Sequence, residues 1–113
     1  MTGQNARAKI KVSAKLATRM SEYTTIAQDE ADIAEVWADI STQLDEQNAT
    51  VAGGVLVVDA AMAYELRSWA DSEADYAADE CYGDALAAGA YKAMMLGLVN
   101  RANKALVAIE VTK

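Results

Sequence analysis

Histidine, phenylalanine and proline are absent from this sequence of 113 residues, and cysteine occurs once, as Cys81. Without histidine the chain lacks the side chain that most often serves as a general base or a metal ligand. This absence excludes most hydrolase triads and zinc sites. A single cysteine cannot form a disulfide within the chain, so we interpret Cys81 as a small core residue. The absence of proline leaves long alanine-rich segments unbroken, which favours helix.

Motifs for phosphate binding and metal catalysis are also missing. Gly53-Gly54 is not followed by Lys-Ser or Lys-Thr, which excludes a P-loop. A paired-metal site in a helical bundle would require histidine beside the carboxylates. We therefore interpret the acidic clusters as solvated helix faces, and we expect no enzyme activity, no metal or other cofactor and no small-molecule substrate. These clusters are Asp29, Glu30, Asp32 and Glu35, and Asp71, Asp75 and Asp79.

Signals for export or membrane insertion are not found either. The chain does not begin with a basic and apolar leader, and it has no run of about 18 uncharged apolar residues. We expect neither a signal peptide nor a membrane span, and we expect the protein in the cytoplasm or in a virion.

The net charge of −7 conceals a strong segregation of charge along the chain. Residues 1–20 carry five basic and no acidic side chains, and residues 21–84 carry sixteen acidic side chains and one basic one, Arg67. Residues 85–113 carry four basic side chains and one acidic one, Glu110. Basic ends around an acidic middle favour folding back within the chain or contact between chains.

Residues 85–109 predict the organising helix of the fold, and their first fifteen residues, 85–99, contain a single charge, Lys92. One apolar row follows spacings of three and four residues and predicts the buried side of this helix. Its members are Tyr91, Met95, Leu98, Ala102, Ala105 and Ile109. A second row consists of small residues only, at every fourth position: Ala85, Gly89, Ala93 and Gly97. Such a row allows another helix to approach closely, so we predict helix packing or self-association through these residues together with Tyr91, Met95 and Leu98.

The predicted fold is all-α: a single domain over residues 1–113, built as a bundle of about four helices. We predict an extended basic arm over residues 1–12 and helices near residues 13–24, 26–47, 55–81 and 84–106. Ser13 and Asp84 are predicted N-caps, and Thr25 to Gln28 matches a capping box. The pair Gly53-Gly54 predicts the break between the second and third helices.

For two segments the sequence allows either a strand or a helix. Residues 55–58 are rich in valine and could form a strand, but they run directly into a helical segment, so we predict helix. Residues 106–113 shift toward strand-forming side chains. They could pair with the arm at residues 9–12, or they could be the fraying end of the last helix.

For function, the sequence favours a non-enzymatic assembly protein that self-associates or docks a protein partner, as in a viral or phage structural component. An alternative is nucleic-acid binding by the basic side chains of the arm and the first helix, which could also contact an acidic partner. These residues are Arg7, Lys9, Lys11, Lys15 and Arg19. A basic strand followed by two helices, over residues 7–44, resembles in outline the ribbon-helix-helix repressors, whose paired strands enter the major groove. A second alternative is an acidic inhibitor whose helices imitate a phosphate backbone.

Overall fold

The structure, a computed structural model, describes residues 6–81 and 83–111. The first five residues of the predicted arm lie outside the described residues. The elements follow in the order β1 (Ala8–Val12), α1 (Ala14–Ala27), α2 (Ala34–Glu46), α3 (Ala49–Ala52), β2 (Gly54–Val58), α4 (Ala60–Asp75), α5 (Ala77–Glu80) and α6 (Ala85–Val111). The chain is thus mostly helical with a small two-stranded sheet, and the prediction of a helical class is confirmed to that extent.

The sheet corrects the predicted helix at residues 55–58. β2 pairs with β1 in antiparallel register, with Ile10 opposite Leu56 and Lys11 opposite Val55. Leu56 and Val58 are buried while Val55 and Val57 are exposed, which is the alternation of a half-buried strand. Gly53 turns the chain into β2 with a φ of 75°, a conformation that favours glycine.

The outer edge of β2 is closed by two glutamine side chains of α2. Gln43 bonds both peptide groups of Val57, with Val57 N donating to Oε1 at 2.7 Å and Nε2 donating to the Val57 carbonyl at 3.0 Å. Gln47 does the same for Val55, at 2.8 Å in each direction. The side-chain amides thus take the place of a further strand and satisfy this edge of the sheet.

The N-terminal helices confirm one predicted boundary and correct another. Ser13 caps α1, because its hydroxyl accepts a hydrogen bond from Leu16 N at 3.1 Å. The predicted helix start at the capping box is wrong: α1 continues to Ala27, which is fully buried, and α2 begins only at Ala34. Burial of Thr24 and Ala27 holds this last turn in α1, so tertiary packing overrides the local capping signal.

The core lies between the sheet and the helices, and every element contributes a buried side chain to it. Trp37 of α2 and Trp69 of α4 meet edge to face with ring centroids 5.3 Å apart, and Tyr23 of α1 packs against both. Trp37 Nε1 donates to Glu65 Oε2 at 2.8 Å, so this indole is satisfied within the core.

Helix α6 is the longest element and packs antiparallel to α4. Contacts between Arg67 and Asn103 and between Glu73 and Tyr91 fix this direction. Asp84 caps the start of α6, as predicted, by accepting from Ala87 N at 3.1 Å. Burial of Ile109 carries the apolar row to the end of the helix at Val111, so the predicted alternative of a terminal strand paired with β1 is wrong.

Taken together, these elements differ from the predicted bundle of about four helices, because β2 replaces the start of the third helix and α3 and α5 are single turns. Within residues 6–81 and 83–111, no helix has the length and apolar character needed to cross a bilayer.

Candidate functional site

Three of the five predicted basic contact residues lie together on or next to β1. Lys9 and Lys11 project from its exposed side, while Ile10 and Val12 are buried on the other side. Arg7 directly precedes the strand and is also exposed. The other two members of the predicted set lie on α1, where Lys15 is exposed and Arg19 is partly buried.

Arg19 is part of a separate network that joins α1, α4 and α6. Its Nη1 lies 3.0 Å from Glu22 Oε1 and its Nη2 lies 3.5 Å from Glu73 Oε1. The Tyr91 hydroxyl donates to Glu73 Oε1 and accepts from Arg19 Nε at 3.2 Å. Burial, followed by the hydrogen bond to the Glu73 carboxylate, raises the pKa of Tyr91 strongly, and Arg19 acts in the opposite direction. The charge of Arg19 is thus balanced locally, away from the cations of β1.

Two cations of α6 join those of β1 around one groove of about 550 Å³. Arg101 and Lys104 of α6 line the groove together with the residues on or next to β1. The small side chains of Ala105 and Ala108, nearer the C-terminal end of α6, complete the lining. The lining residues are Arg7, Ala8, Lys9, Lys11, Arg101, Lys104, Ala105 and Ala108, and none of these described residues is acidic. We call this surface the basic groove.

A second groove, of about 390 Å³, shares Lys11 and Arg101 with the basic groove. Its other lining residues are Val12, Ser13, Ala93, Met94 and Gly97. Within the described residues, the buried Arg101 Nε has no hydrogen-bond partner. Sequence reasoning did not select Arg101 and Lys104. No local pattern in the sequence links them to β1, because their proximity depends on how α6 packs against β1.

The residues predicted for self-association divide between two sides of α6. Tyr91, Met95 and Leu98 are buried against the rest of the chain, so they pack within the fold. Ala85, Gly89 and Ala93 are exposed, and Gly97 is half-buried. A Cβ added at Gly89 would meet no described atom within 4 Å, whereas one added at Gly97 would lie 3.2 Å from Arg101 Nη1.

The exposed side of α6 carries a further row at helical spacing, of which the sequence prediction included only Gly89 and Ala93. Successive members are three or four residues apart, and all seven are exposed: Leu86, Gly89, Ala93, Leu96, Asn100, Asn103 and Val107. Leu86 is 88% exposed and Val107 is 64% exposed. We call these seven residues the outer row.

Charges of opposite sign lie near the two ends of the outer row. Asp79 and Asp84 are exposed near the start of α6, and Asp75 is exposed at the end of α4, which runs antiparallel to α6. The cations of the basic groove lie toward the far end of α6. The surface around α6 therefore changes from acidic to basic along the helix axis.

Across residues 6–81 and 83–111, the side chains of cysteine, aspartate and glutamate form no group of three or more suited to a metal ion. Cys81 is half-buried and packs against the core, as the sequence predicted for a small core residue.

Comparison of the chain with protein-family models, with curated proteins and with solved structures yields no match.

Proposed function

We propose that this protein is a non-enzymatic assembly protein that self-associates by pairing the outer row of α6 with the same row of a second copy. The observation that carries the proposal is the exposure of this row over most of a helix of 27 residues. Leu86, Leu96 and Val107 give this row exposed apolar side chains, and an exposed apolar patch on a small protein is typical of an interaction site.

The residues of the outer row suit close packing of two helices. Gly89 and Ala93 have little or no side chain to keep a second backbone away, and Leu86, Leu96 and Val107 supply apolar area. Spacings that alternate between three and four residues are those of a helix seam that packs against a partner helix. Asn100 adds a polar position to the seam, and a polar residue at such a position favours one register over others.

The charge distribution favours an antiparallel arrangement of the two copies. Such pairing brings the basic end of one α6 toward the acidic end of the other, so that Lys104 approaches the side of Asp84 in the second copy. A parallel arrangement would place like charges together at both ends. The antiparallel pair is also a two-fold arrangement, in which both copies use the same surface.

The mass in solution tests this proposal, measured by light scattering over a range of protein and salt concentrations. The expected result is a dimer that weakens as salt rises, because opposite charges contribute to it. Gly89→Lys adds bulk and a like charge opposite Lys104 of the second copy, and its Cβ would meet no described atom within 4 Å. This variant should remain folded and monomeric.

The matched control is Ala38→Lys, which adds the same charge at an exposed position of α2. It should dimerise as the unsubstituted protein does. A monomer at every concentration and ionic strength would contradict the proposal, and so would a Gly89→Lys variant that dimerises normally.

A further inference from the structure

The two edges of the sheet differ in how their peptide groups are satisfied. Gln43 and Gln47 bond the peptide groups of Val57 and Val55, which therefore point away from β1. Residues directly opposite in an antiparallel pair share this orientation, so the peptide groups of Lys9 and Lys11 point outward on the other edge. Within the described residues, no backbone hydrogen bond satisfies that outward edge. Among residues 6–81 and 83–111, β1 therefore presents an open strand edge.

The open edge borders the basic groove. Lys9 and Lys11 line the groove on one side, and Arg101 and Lys104 line it on the other. Ala108 is small and exposed, so its side chain fills little of the space beside the strand. A strand edge and five cations thus face the same space of about 550 Å³.

We propose that the basic groove binds an extended acidic segment of a partner protein, which adds to the sheet as a third strand beside β1. The segment's backbone would exchange hydrogen bonds with the peptide groups of Lys9 and Lys11. Its alternate carboxylates would lie near the cations that line the groove. Strand addition to an open edge is a general mode of peptide recognition.

The chemistry of the edge favours a peptide over a nucleic acid. Lys9 and Lys11 each present an outward N–H donor and an outward carbonyl acceptor. A peptide strand satisfies both kinds of group, whereas a phosphate backbone accepts hydrogen bonds but cannot donate to the carbonyls. The charge favours an acidic peptide, because opposite charges on neighbouring strands attract.

The same charge argues against pairing of β1 with the β1 of another copy. Lysines on an edge strand repel an identical strand, which is a common protection against edge-to-edge aggregation. Carboxylates on the incoming strand turn this repulsion into attraction. The groove and the outer row of α6 are therefore proposed for different partners.

Fluorescence anisotropy tests the proposal with a labelled, end-capped peptide of nine alternating glutamate and threonine residues. The control peptide has the same sequence, with methyl groups on alternate backbone nitrogens so that the edge facing β1 cannot donate. Loss of two such hydrogen bonds should weaken binding about tenfold while the charge is unchanged. Equal binding of the two peptides would overturn the proposal, because charge alone would then explain the affinity.

Substitutions in the protein test the backbone hydrogen bonds and the charge of β1 separately. Lys9→Pro and Lys9→Gln both remove the charge, but only the proline removes the outward N–H, and this N–H does not bond β2. Lys9→Pro should bind the peptide more weakly than Lys9→Gln. The double substitution Lys9→Glu and Lys11→Glu should abolish binding, whereas Lys15→Glu, on α1 outside the groove, should leave it unchanged.

Two further titrations distinguish peptide binding from nucleic-acid binding and from the proposed dimer. A single-stranded oligothymidylate and a DNA duplex are titrated under the same conditions, and binding of either that is tighter than that of the peptide would overturn it. The Gly89→Lys variant should bind the peptide as the unsubstituted protein does. With this variant, a result that contradicts the dimer can be told apart from one that contradicts peptide binding in the basic groove.

Discussion

At the scale of single residues, Arg19 is a cation that the sequence suggests is available to bind a partner. In the fold its guanidinium instead interacts with Glu73 and Tyr91. Arg19 was predicted as a contact for a nucleic acid or an acidic partner, and the structure pairs it with Glu73 and Tyr91. Its guanidinium also lies over the Tyr91 ring, 5.2 Å from the centroid. We infer that this network mainly stabilises the packing of α1 against α4 and α6.

Tyr91→Phe should change how stability depends on pH. The folded protein holds the phenolic proton of Tyr91 more tightly than the unfolded chain, whose pKa is near the ordinary value of 10.0. The stabilisation is therefore complete below about pH 10 and is lost as the pH rises above it, at no more than about 1.4 kcal/mol per pH unit. Urea unfolding at pH 8 to 11.5 should show a shallower decline for the variant.

Tyr76→Phe is the control, because Tyr76 is 60% exposed. Its decline should match that of the unsubstituted protein. Some decline remains in every variant, because burial, followed by the charge of Glu65, also raises the pKa of Tyr23. If Tyr91→Phe and the unsubstituted protein lost stability in parallel above pH 10, the network would not hold the proton as described.

The sequence predicted single residues correctly where their role depends only on residues close in the chain. The caps at Ser13 and Asp84 depend on a hydroxyl or carboxylate three residues before a backbone N–H, and this spacing can be read directly. The pairing of Arg19 with Tyr91 joins residues 72 positions apart. No local pattern encodes such a contact.

At the scale of elements, the errors lie where tertiary contacts decide between two local choices. Residues 55–58 are strand because β1 and the amides of Gln43 and Gln47 are available to pair with them. The capping box at Thr25 is overridden by burial of Ala27. The buried row of α6 was predicted correctly, because a period of 3.6 residues over a long segment leaves few alternatives.

The same substitution at two glycines should have opposite effects on the free energy of unfolding. In Gly53→Ala, the new Cβ would lie 3.0 Å from the Val12 carbonyl oxygen in a backbone with positive φ, so the variant should lose more than about 1 kcal/mol. In Gly89→Ala the Cβ meets open space inside a helix, so this variant should gain about 0.5 to 1 kcal/mol.

Urea unfolding at low protein concentration measures both effects on the monomer, where the proposed dimer does not contribute. A loss of stability in Gly89→Ala would indicate that something contacts this position. A neutral Gly53→Ala would show that the turn before β2 is not constrained as described.

At the scale of the whole molecule, segregation of charge along the sequence becomes segregation in space. The chain extends over 49 × 28 × 24 Å, and the cations of both its ends meet in the basic groove. The sequence predicted that the basic ends and the acidic middle would favour folding back within the chain or contact between chains. It could not predict that the two basic ends would lie beside each other, because this depends on the packing of α6 against β1.

In the proposed dimer, a second copy covers the outer row of α6 in antiparallel direction. The most direct measurement is the distance between spin labels on the two copies, with labels introduced as Lys92→Cys or Ala85→Cys in a Cys81→Ala background. Both positions are exposed beside the outer row. The rise of 1.5 Å per residue predicts that labels at position 85 lie about 20 Å farther apart than labels at position 92. Equal distances at both positions would indicate parallel helices, and the absence of a dipolar signal between copies would indicate no pairing; either result would contradict this arrangement.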